Sequence, residues 1–202
     1  MGLPINIQRE IDAELEERKR KRFDTAKIAI REYLESCGVT DTELLENTPS
    51  RWLKLVDGYT LALREIYTDF KSFTENNYNQ MVIVDTTFTS MCGHHLMPFF
   101  GKIFVGYLPR QKVVGISKIV KLVTHMTKAP TIQEGLTEDI CKRLNTELEA
   151  AGVAVVIQAM HTCVSSRYKE GYMLTSSMHG TFRHNPFAKQ EFMEFVNTRL
   201  NK

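Results

Sequence analysis

The sequence predicts an α+β fold in which an antiparallel sheet carries two helices on one face and is preceded by N-terminal helices. Three observations predict it: helical patterns occupy the first part of the chain, β-branched and aromatic segments follow as two hairpins, and two helical patterns separate these hairpins. Strands grouped in this way are typical of an α+β domain. We therefore divide the 202 residues into an N-terminal helical segment, residues 1–75, and a second domain, residues 76–202.

The N-terminal segment is predicted to contain two helices. The first covers residues 5–37 and is followed by a glycine, which is a common helix stop. Thr48 and Pro49 have the pattern of an N-cap followed by proline at the first helical position, so the second helix is predicted to begin there and to run toward Tyr67. The polar stretch over residues 72–80 is predicted to be a loop.

The second domain is predicted to contain two hairpins. The first joins a strand over residues 81–89 to a strand over residues 99–108, and a turn at residues 109–112 then leads to a short third strand. The second hairpin joins a long strand over residues 153–164 to a partner over residues 173–182. Both pairs are rich in the residue types that favour strands.

Two helices are predicted between the hairpins and one after them. Ser117 is predicted to cap a helix whose apolar residues recur at helical spacing and which Pro130 ends. A further helix follows, with Gly152 as its predicted C-terminal cap. An amphipathic helix over residues 187–200 closes the chain.

Composition limits the class of protein. The chain is 43% hydrophobic and 25% charged with a formal net charge of +2, which is ordinary for a globular protein and gives no general attraction to nucleic acid or membranes. The N-terminus lacks the pattern of a secretory signal, so we expect a cytoplasmic protein without a nucleic-acid or membrane partner. The charged run at residues 16–22 is either a nucleic-acid or membrane patch or a solvated helix face, and we favour the solvated helix face.

Four cysteines divide into two kinds. Disulfides are rare in the cytosol, so a thiol close to histidines is a candidate ligand or nucleophile. Cys37 and Cys141 have no such neighbours, and we interpret them as packing residues. Cys92 and Cys163 each lie within a few residues of a histidine.

The first candidate cluster is the run Cys92-Gly93-His94-His95 at a predicted strand end. Cysteine and histidine at this spacing are common zinc ligands, and we expect Gly93 to free the backbone for the turn that brings them together. The second cluster is His161-Thr162-Cys163. Because side chains alternate along a strand, His161 and Cys163 are predicted to lie side by side at the end of its apolar face.

Cys92, His95 and Cys163 provide two thiolates and one imidazole. Three protein ligands leave the fourth tetrahedral position of zinc open for water, which is typical of a catalytic site. His94 and His161 are then candidate general acids or bases. The alternative is a closed structural zinc site in which one of these two histidines is the fourth ligand.

Two further groups are candidate substrate contacts. Ser117 and Lys118 open a predicted helix with Lys121 one turn later, which suits a phosphate chain but also fits an ordinary solvated helix start. Arg167 follows the second cluster, either as another phosphate contact or as an exposed loop residue. Gln133 and Glu134 form a weaker candidate, since a carboxylate there could accept the paired N–H donors of a guanine edge.

The sequence resembles the GTP cyclohydrolase I family over roughly residues 45–194. The resemblance rests on four motifs in the family's order: CGHHLMPFFGK from Cys92, GISK from Gly115, IQEGLT from Ile132, and GVAVV from Gly152 continuing to the His161-Thr162-Cys163 cluster. It implies a tunnelling fold for residues 76–202 and a toroidal homodecamer with active sites between neighbouring subunits. It also implies that GTP and water are converted into 7,8-dihydroneopterin triphosphate and formate.

The resemblance assigns roles residue by residue. By analogy with the family, Zn²⁺ is held by Cys92, His95 and Cys163, protons are handled by His94, His161 and Ser117, the ribose and triphosphate are contacted by Ser117, Lys118 and Arg167, and guanine is bound by Gln133 and Glu134. Lys121 is expected to contact the phosphates where the family usually has Arg.

Gly93 and Gly135 also depart from the family, which usually has Glu and Arg at these positions. The departures leave two alternatives: a tunnelling-fold relative that acts on a different guanine nucleotide, a pterin or a deazapurine, and a non-catalytic oligomer stabilised by zinc.

Overall fold

The computed structural model describes residues 4–74, 80–169 and 171–201, and the chain divides into two compact units, Met1–Gly58 and Tyr59–Lys202. The second unit begins earlier than residue 76, where we expected the second domain to start. Among the described residues, no helix combines the length and the apolar character needed to cross a membrane.

The first unit consists of helices α1, Ile5–Ser36, and α2, Thr42–Gly58. The prediction that α2 begins at Thr48 and runs toward Tyr67 is wrong. Asp41 caps the helix instead, because its carboxylate accepts a hydrogen bond from the Leu44 backbone N–H at 3.0 Å. Pro49 therefore lies inside α2, where it lacks the N–H that would bond to the carbonyl four residues earlier.

The second unit is built on a five-stranded sheet of order β5-β2-β3-β6-β7 and a separate two-stranded ribbon, β1-β4. The strands are β1 Ser72–Thr74, β2 Val82–Cys92, β3 Pro98–Leu108, β4 Lys112–Val114, β5 Pro130–Thr131, β6 Gly152–His161 and β7 Tyr172–Gly180. All pairs are antiparallel except the two-residue β5, which lies parallel to β2. Both predicted hairpins are confirmed. The prediction of a polar loop over residues 72–80 is wrong at its start, because Ser72–Thr74 form β1. Residues 75–79 of that predicted loop lie outside the described residues.

The helices of this unit are α3 Ile116–Met126, α4 Gln133–Leu148, α5 Thr162–Ser165, α6 Thr181–His184 and α7 Pro186–Leu200. Alternate residues of β6 separate two packing layers. Val155 and Ile157 face the cluster that contains the apolar residues of α3 and α4, whereas Val156 packs with Phe192 and Val196 of α7. The expected α+β fold, with two helices on one face and N-terminal helices before it, is confirmed. In addition, α7 covers part of the opposite face.

Three predicted helix boundaries are wrong. Ser117 lies inside α3, whose N-cap is Gly115, and Pro130 begins β5 after α3 has already ended at Met126. The cap of α4 is Glu149, in the left-handed conformation at φ 48°, while Gly152 begins β6. A Cβ at Gly152 would lie 2.8 Å from the Thr181 backbone nitrogen, so close packing of two backbones requires this glycine.

Candidate active site

One group of potential metal ligands lies where β2 and β6 end. The ligand atoms of Cys92, His95 and Cys163 all lie within 4.8 Å of one another, and Cys92 Sγ is 3.6 Å from His95 Nδ1. Zinc bonds of 2.0–2.3 Å in a tetrahedral arrangement separate the ligand atoms by about 3.3–3.8 Å. The three side chains therefore need little movement to hold one ion, which the chemistry of two sulfurs and an imidazole also suits.

A tight turn brings Cys92 and His95 together. The Cys92 N–H donates to the Met97 carbonyl at 2.8 Å, and the Leu96 N–H donates to the Cys92 carbonyl at 2.8 Å. Leu96 is the residue with the left-handed backbone, at φ 50°, and Gly93 has no such conformation. Our expectation that Gly93 frees the backbone is therefore wrong.

Cys163 reaches the group from a helical turn and not from a strand face. β6 ends at His161, and α5 begins at Thr162. The Thr162 hydroxyl donates to the Pro98 carbonyl at 2.6 Å, which ties α5 to the start of β3. We expected the alternation of side chains along the strand to place Cys163 beside His161, but the strand ends at His161. The helical turn that follows points the Cys163 thiol toward Cys92 instead.

The ionised form of the buried Cys163 thiol is disfavoured by its surroundings. Burial raises the pKa of the Cys163 thiol, and the neighbouring Cys92 raises it further, whereas the Arg167 guanidinium opposes the shift. Two adjacent thiolates repel each other and are poorly solvated, so a bound divalent cation is the group that would stabilise both. Thiolate sulfur favours zinc and other soft metals over magnesium or calcium.

His161 lies beside this group in a fixed orientation. Its ring is stacked on Phe99 with a centroid distance of 4.6 Å and an interplanar angle of 4°, and its Nε2 lies 2.9 Å from Gln133 Oε1. Burial lowers the pKa of the His161 imidazole below its ordinary value, and the Glu134 carboxylate opposes this shift. The imidazole is therefore neutral around pH 7, as a proton acceptor must be.

Gln133 and Glu134 differ in environment although they are adjacent at the start of α4. The Gln133 side chain is 1% exposed and is engaged inside the protein, whereas Glu134 is exposed. Glu134 is therefore accessible to a guanine edge, whereas the predicted contact of Gln133 with guanine stays a prediction. His94 is also exposed at this end of the sheet, with its ring 6.2 Å from that of His95.

The candidate phosphate contacts on α3 are approached from the other end of β3, whereas Arg167 lies near Cys163. The Val114 N–H, two residues before α3, donates to the Tyr107 hydroxyl at 3.4 Å. Tyr107 is eight residues along β3 from Phe99, the partner of His161, which corresponds to about 27 Å at 3.4 Å per residue. The start of α3 therefore lies toward the end of β3 opposite Phe99, and the Lys118 ammonium there pairs with Asp69 at 2.7 Å.

Comparison with known proteins identifies the family. The model of the family described as GTP cyclohydrolase I matches residues 26–197. The chain belongs to the GTP cyclohydrolase I family. A protein named GTP cyclohydrolase 1 from Hydrogenobaculum sp. (strain Y04AAS1) is 42% identical over 173 residues, which cover 83% of this chain and 93% of that protein.

Two further relatives carry the same name. The one from Aquifex aeolicus (strain VF5) is 40% identical over 84% of this chain and 94% of its own length. The one from Campylobacter jejuni subsp. jejuni serotype O:23/36 (strain 81-176) is 42% identical over 77% of this chain and 85% of its own length. The resemblance read from the sequence is confirmed, and this member of the GTP cyclohydrolase I family is an enzyme of that type with the family's tunnelling fold.

The two glycines that depart from the GTP cyclohydrolase I pattern lie around one residue. A Cβ at Gly93 would be 3.5 Å from the Thr131 backbone nitrogen, and a Cβ at Gly135 would be 3.8 Å from Thr131 Oγ1. Both contacts are ordinary van der Waals distances, so the backbone at each position has room for a side chain. The two departures from the family therefore occur next to each other in space.

Sequence reasoning missed two residues around this site and one beside the candidate phosphate contact Lys118. Phe99 was assigned only to a strand, although antiparallel pairing of the hairpins would have suggested its register with His161. Thr162, which anchors α5, had no recognisable pattern. Asp69 was not considered, yet its carboxylate lies 2.7 Å from Lys118 Nζ.

Proposed function

We propose that this protein is a zinc-dependent GTP cyclohydrolase that opens the purine ring of GTP at C8, releases formate and closes the product to 7,8-dihydroneopterin triphosphate. The observation that carries the proposal is the group of Cys92, His95 and Cys163 beside the His161 imidazole, which is stacked on Phe99. The names of the relatives support GTP as the substrate.

The donor set supports zinc. Zinc held by Cys92, His95 and Cys163 would supply Lewis acidity and lower the pKa of water in its open fourth position. The exposure of His95, beside two buried cysteines, gives that position a route to substrate. The burial of the two thiols excludes bulk water, which strengthens their interaction with a cation.

His161 is the residue best suited to move a proton during C8 hydrolysis. Its imidazole is neutral, and Phe99 and Gln133 hold its ring in one orientation. A positioned acid or base at this step contributes about two to four powers of ten in rate. His94, which is exposed beside His95, is proposed to serve together with Ser117 in the later ribose rearrangement.

The substrate is proposed to be held by charge at its two ends. Glu134 accepts the N–H donors of guanine, and Arg167, close enough to Cys163 to affect its thiol, contacts the triphosphate. Lys118 and Lys121 supply further positive charge on α3. Asp69 holds the Lys118 ammonium and reduces its local charge until phosphate arrives.

The active site is proposed to be shared between copies of the chain. The hydrogen bond from Val114 to Tyr107 places the start of α3 toward the end of β3 opposite Phe99, which pairs with His161. We therefore propose that α3 of a second copy completes the site. The family resemblance supports a homodecamer for this assembly.

The proposal is tested by incubating zinc-loaded protein with GTP and measuring formate and the fluorescent oxidised pterin. His161→Ala should retain zinc and lose about two to four powers of ten in kcat, whereas His184→Ala, at an exposed position on α6, should behave like the wild type. Absence of formate from the wild-type reaction, or full turnover by His161→Ala, would contradict the proposal.

A further inference from the structure

The buried side chain of Gln133 has four partners within hydrogen-bond distance, which link α4 to β6 and β7, and the two protons of its amide nitrogen are shared among three of them. Its amide nitrogen lies 3.0 Å from the Ile157 carbonyl, 3.1 Å from the Met173 carbonyl and 3.0 Å from Thr175 Oγ1. Its amide oxygen lies 2.9 Å from His161 Nε2. Both ends of the amide group are therefore occupied.

The chemistry of these partners determines which end of the amide faces His161. A backbone carbonyl can only accept a hydrogen bond, so the amide NH₂ of Gln133 must face Ile157 and Met173. The opposite orientation would place the amide oxygen of Gln133 against the carbonyl oxygens of Ile157 and Met173, in a buried site with no proton between these three oxygens. The Gln133 oxygen therefore faces His161, and because that oxygen only accepts, Nε2 of His161 must carry the proton.

The hydroxyl groups nearby are consistent with the same orientation. Thr137 Oγ1 donates its proton to the backbone carbonyl of Gln133 at 2.7 Å. The hydroxyls of Thr137 and Thr175 lie 2.7 Å apart. Because the Thr137 proton is already used, Thr175 is the donor in this hydrogen bond. Because each hydroxyl has one proton, Thr175 can only accept from the Gln133 amide. The directions of these hydroxyl bonds agree with an amide nitrogen that faces Ile157, Met173 and Thr175.

We propose that Gln133 is a positioning residue that keeps His161 in the tautomer protonated at Nε2, so that Nδ1 carries the lone pair for proton transfer. The inference rests on the proposed function, in which His161 moves a proton during hydrolysis of GTP. Stacking on Phe99 defines the plane of the ring, and the bond to Gln133 defines its rotation within that plane. A neutral amide suits this task because it orients the ring without adding the charge of a carboxylate.

The first test is spectroscopic and does not depend on turnover. Zinc-loaded full-length protein with ¹⁵N-labelled histidine is studied by NMR at one neutral pH, and the His161 signals are assigned by their loss in His161→Asn. The wild type should show His161 protonated at Nε2, and Gln133→Met, which has no acceptor oxygen, should show a mixture of tautomers. An Nδ1-protonated ring in the wild type, or an unchanged tautomer in Gln133→Met, would overturn the proposal.

The second test separates positioning from substrate binding. Gln133→Met should lower kcat about 10–100-fold and leave the KM for GTP and the zinc content unchanged, because the side chain is buried away from substrate. A raised KM with normal kcat would overturn the proposal and return Gln133 to guanine binding.

Thr175→Val is the matched structural control. It removes one partner of Gln133 and leaves both the two backbone carbonyls and the bond to His161 in place. It should lower the melting temperature without changing the tautomer or kcat, and loss of the tautomer in this variant alone would overturn the proposal. If the wild type does not release formate from GTP, the proposed function fails, while the NMR experiment still decides the tautomer.

Discussion

The Phe99 ring lies parallel to the His161 imidazole, with 4.6 Å between the centroids and 4° between the planes. Phe99 is fully buried and also meets the edge of Phe88, with 5.6 Å between their centroids. The hydrophobic core therefore extends without interruption to the candidate proton-transfer residue. Packing in the core should control the orientation of that imidazole.

Phe99→Leu is predicted to reduce activity more than its loss of stability explains. The change removes the stacking surface of His161 and should lower kcat about tenfold, while the free energy of unfolding falls by about 1–2 kcal/mol. Phe88→Leu is the control, since it loses similar core contacts without touching His161. Enzyme assays and thermal unfolding of both variants check the prediction, and equal losses of kcat would refute it.

The four cysteines are predicted to react with a thiol reagent in a defined order. Cys37 is exposed and should be modified first, and zinc should protect Cys92 and Cys163 until a chelator is added. Burial raises the pKa of the Cys141 thiol to about 11, so at pH 8 only about one molecule in a thousand carries the thiolate. Cys141 should therefore react only after unfolding.

Mass spectrometry after timed alkylation, with and without chelator, measures this order. Cys37→Ser provides the control for the fast phase. Modification of Cys92 and Cys163 at the same rate in both conditions would show that these thiols do not hold the metal.

Mixed oligomers are predicted to recover activity from two inactive variants. His161→Ala damages the end of the sheet that carries the ligand group, and Lys118→Ala damages the N-terminal part of α3. If each site takes one part from each of two copies, random mixing restores both parts in about one quarter of the sites. Co-expression with two different affinity tags, followed by tandem purification and a formate assay, tests this. Activity no higher than in the parent variants would mean that one chain supplies the whole site.

Glu at position 93 and Arg at position 135 are predicted to be tolerated and to attract each other. Both positions have room for a Cβ next to Thr131, and the two long side chains can meet across that residue. In a double-mutant cycle, we compare the free energy of unfolding of the variant that carries both Gly93→Glu and Gly135→Arg with the value expected from adding the effects of the two single substitutions. The measured value should be higher by about 0.5–1 kcal/mol.

Gly101→Ala is the contrasting control for this cycle. A Cβ there would lie 1.9 Å from the Gln158 carbonyl oxygen, so this variant should be strongly destabilised. Thermal unfolding of the four proteins gives the result, and strict additivity of the two glycine substitutions would show that their side chains do not meet.

Local sequence patterns were sufficient for the two hairpins, the two helices between them and the choice of candidate metal ligands. The β-branched runs predicted both hairpins, and the spacing of Cys92 and His95 predicted their approach because only a turn separates them. These features depend on neighbours in the chain, for which propensity and side-chain periodicity are direct guides.

Only the tertiary structure decided how distant segments meet. Cys163 points toward Cys92 because β6 ends at His161 and the helical turn α5 follows it. Gln133 is satisfied in a buried position because the register of β6 and β7 aligns the carbonyls of Ile157 and Met173 with its amide. The sequence alone determined which residues are candidates for the chemistry, and the packing of strands and helices decided that Cys92, His95 and Cys163 lie together. The physical reason is that strand register and helix packing depend on contacts between residues far apart in the chain, which no local pattern encodes.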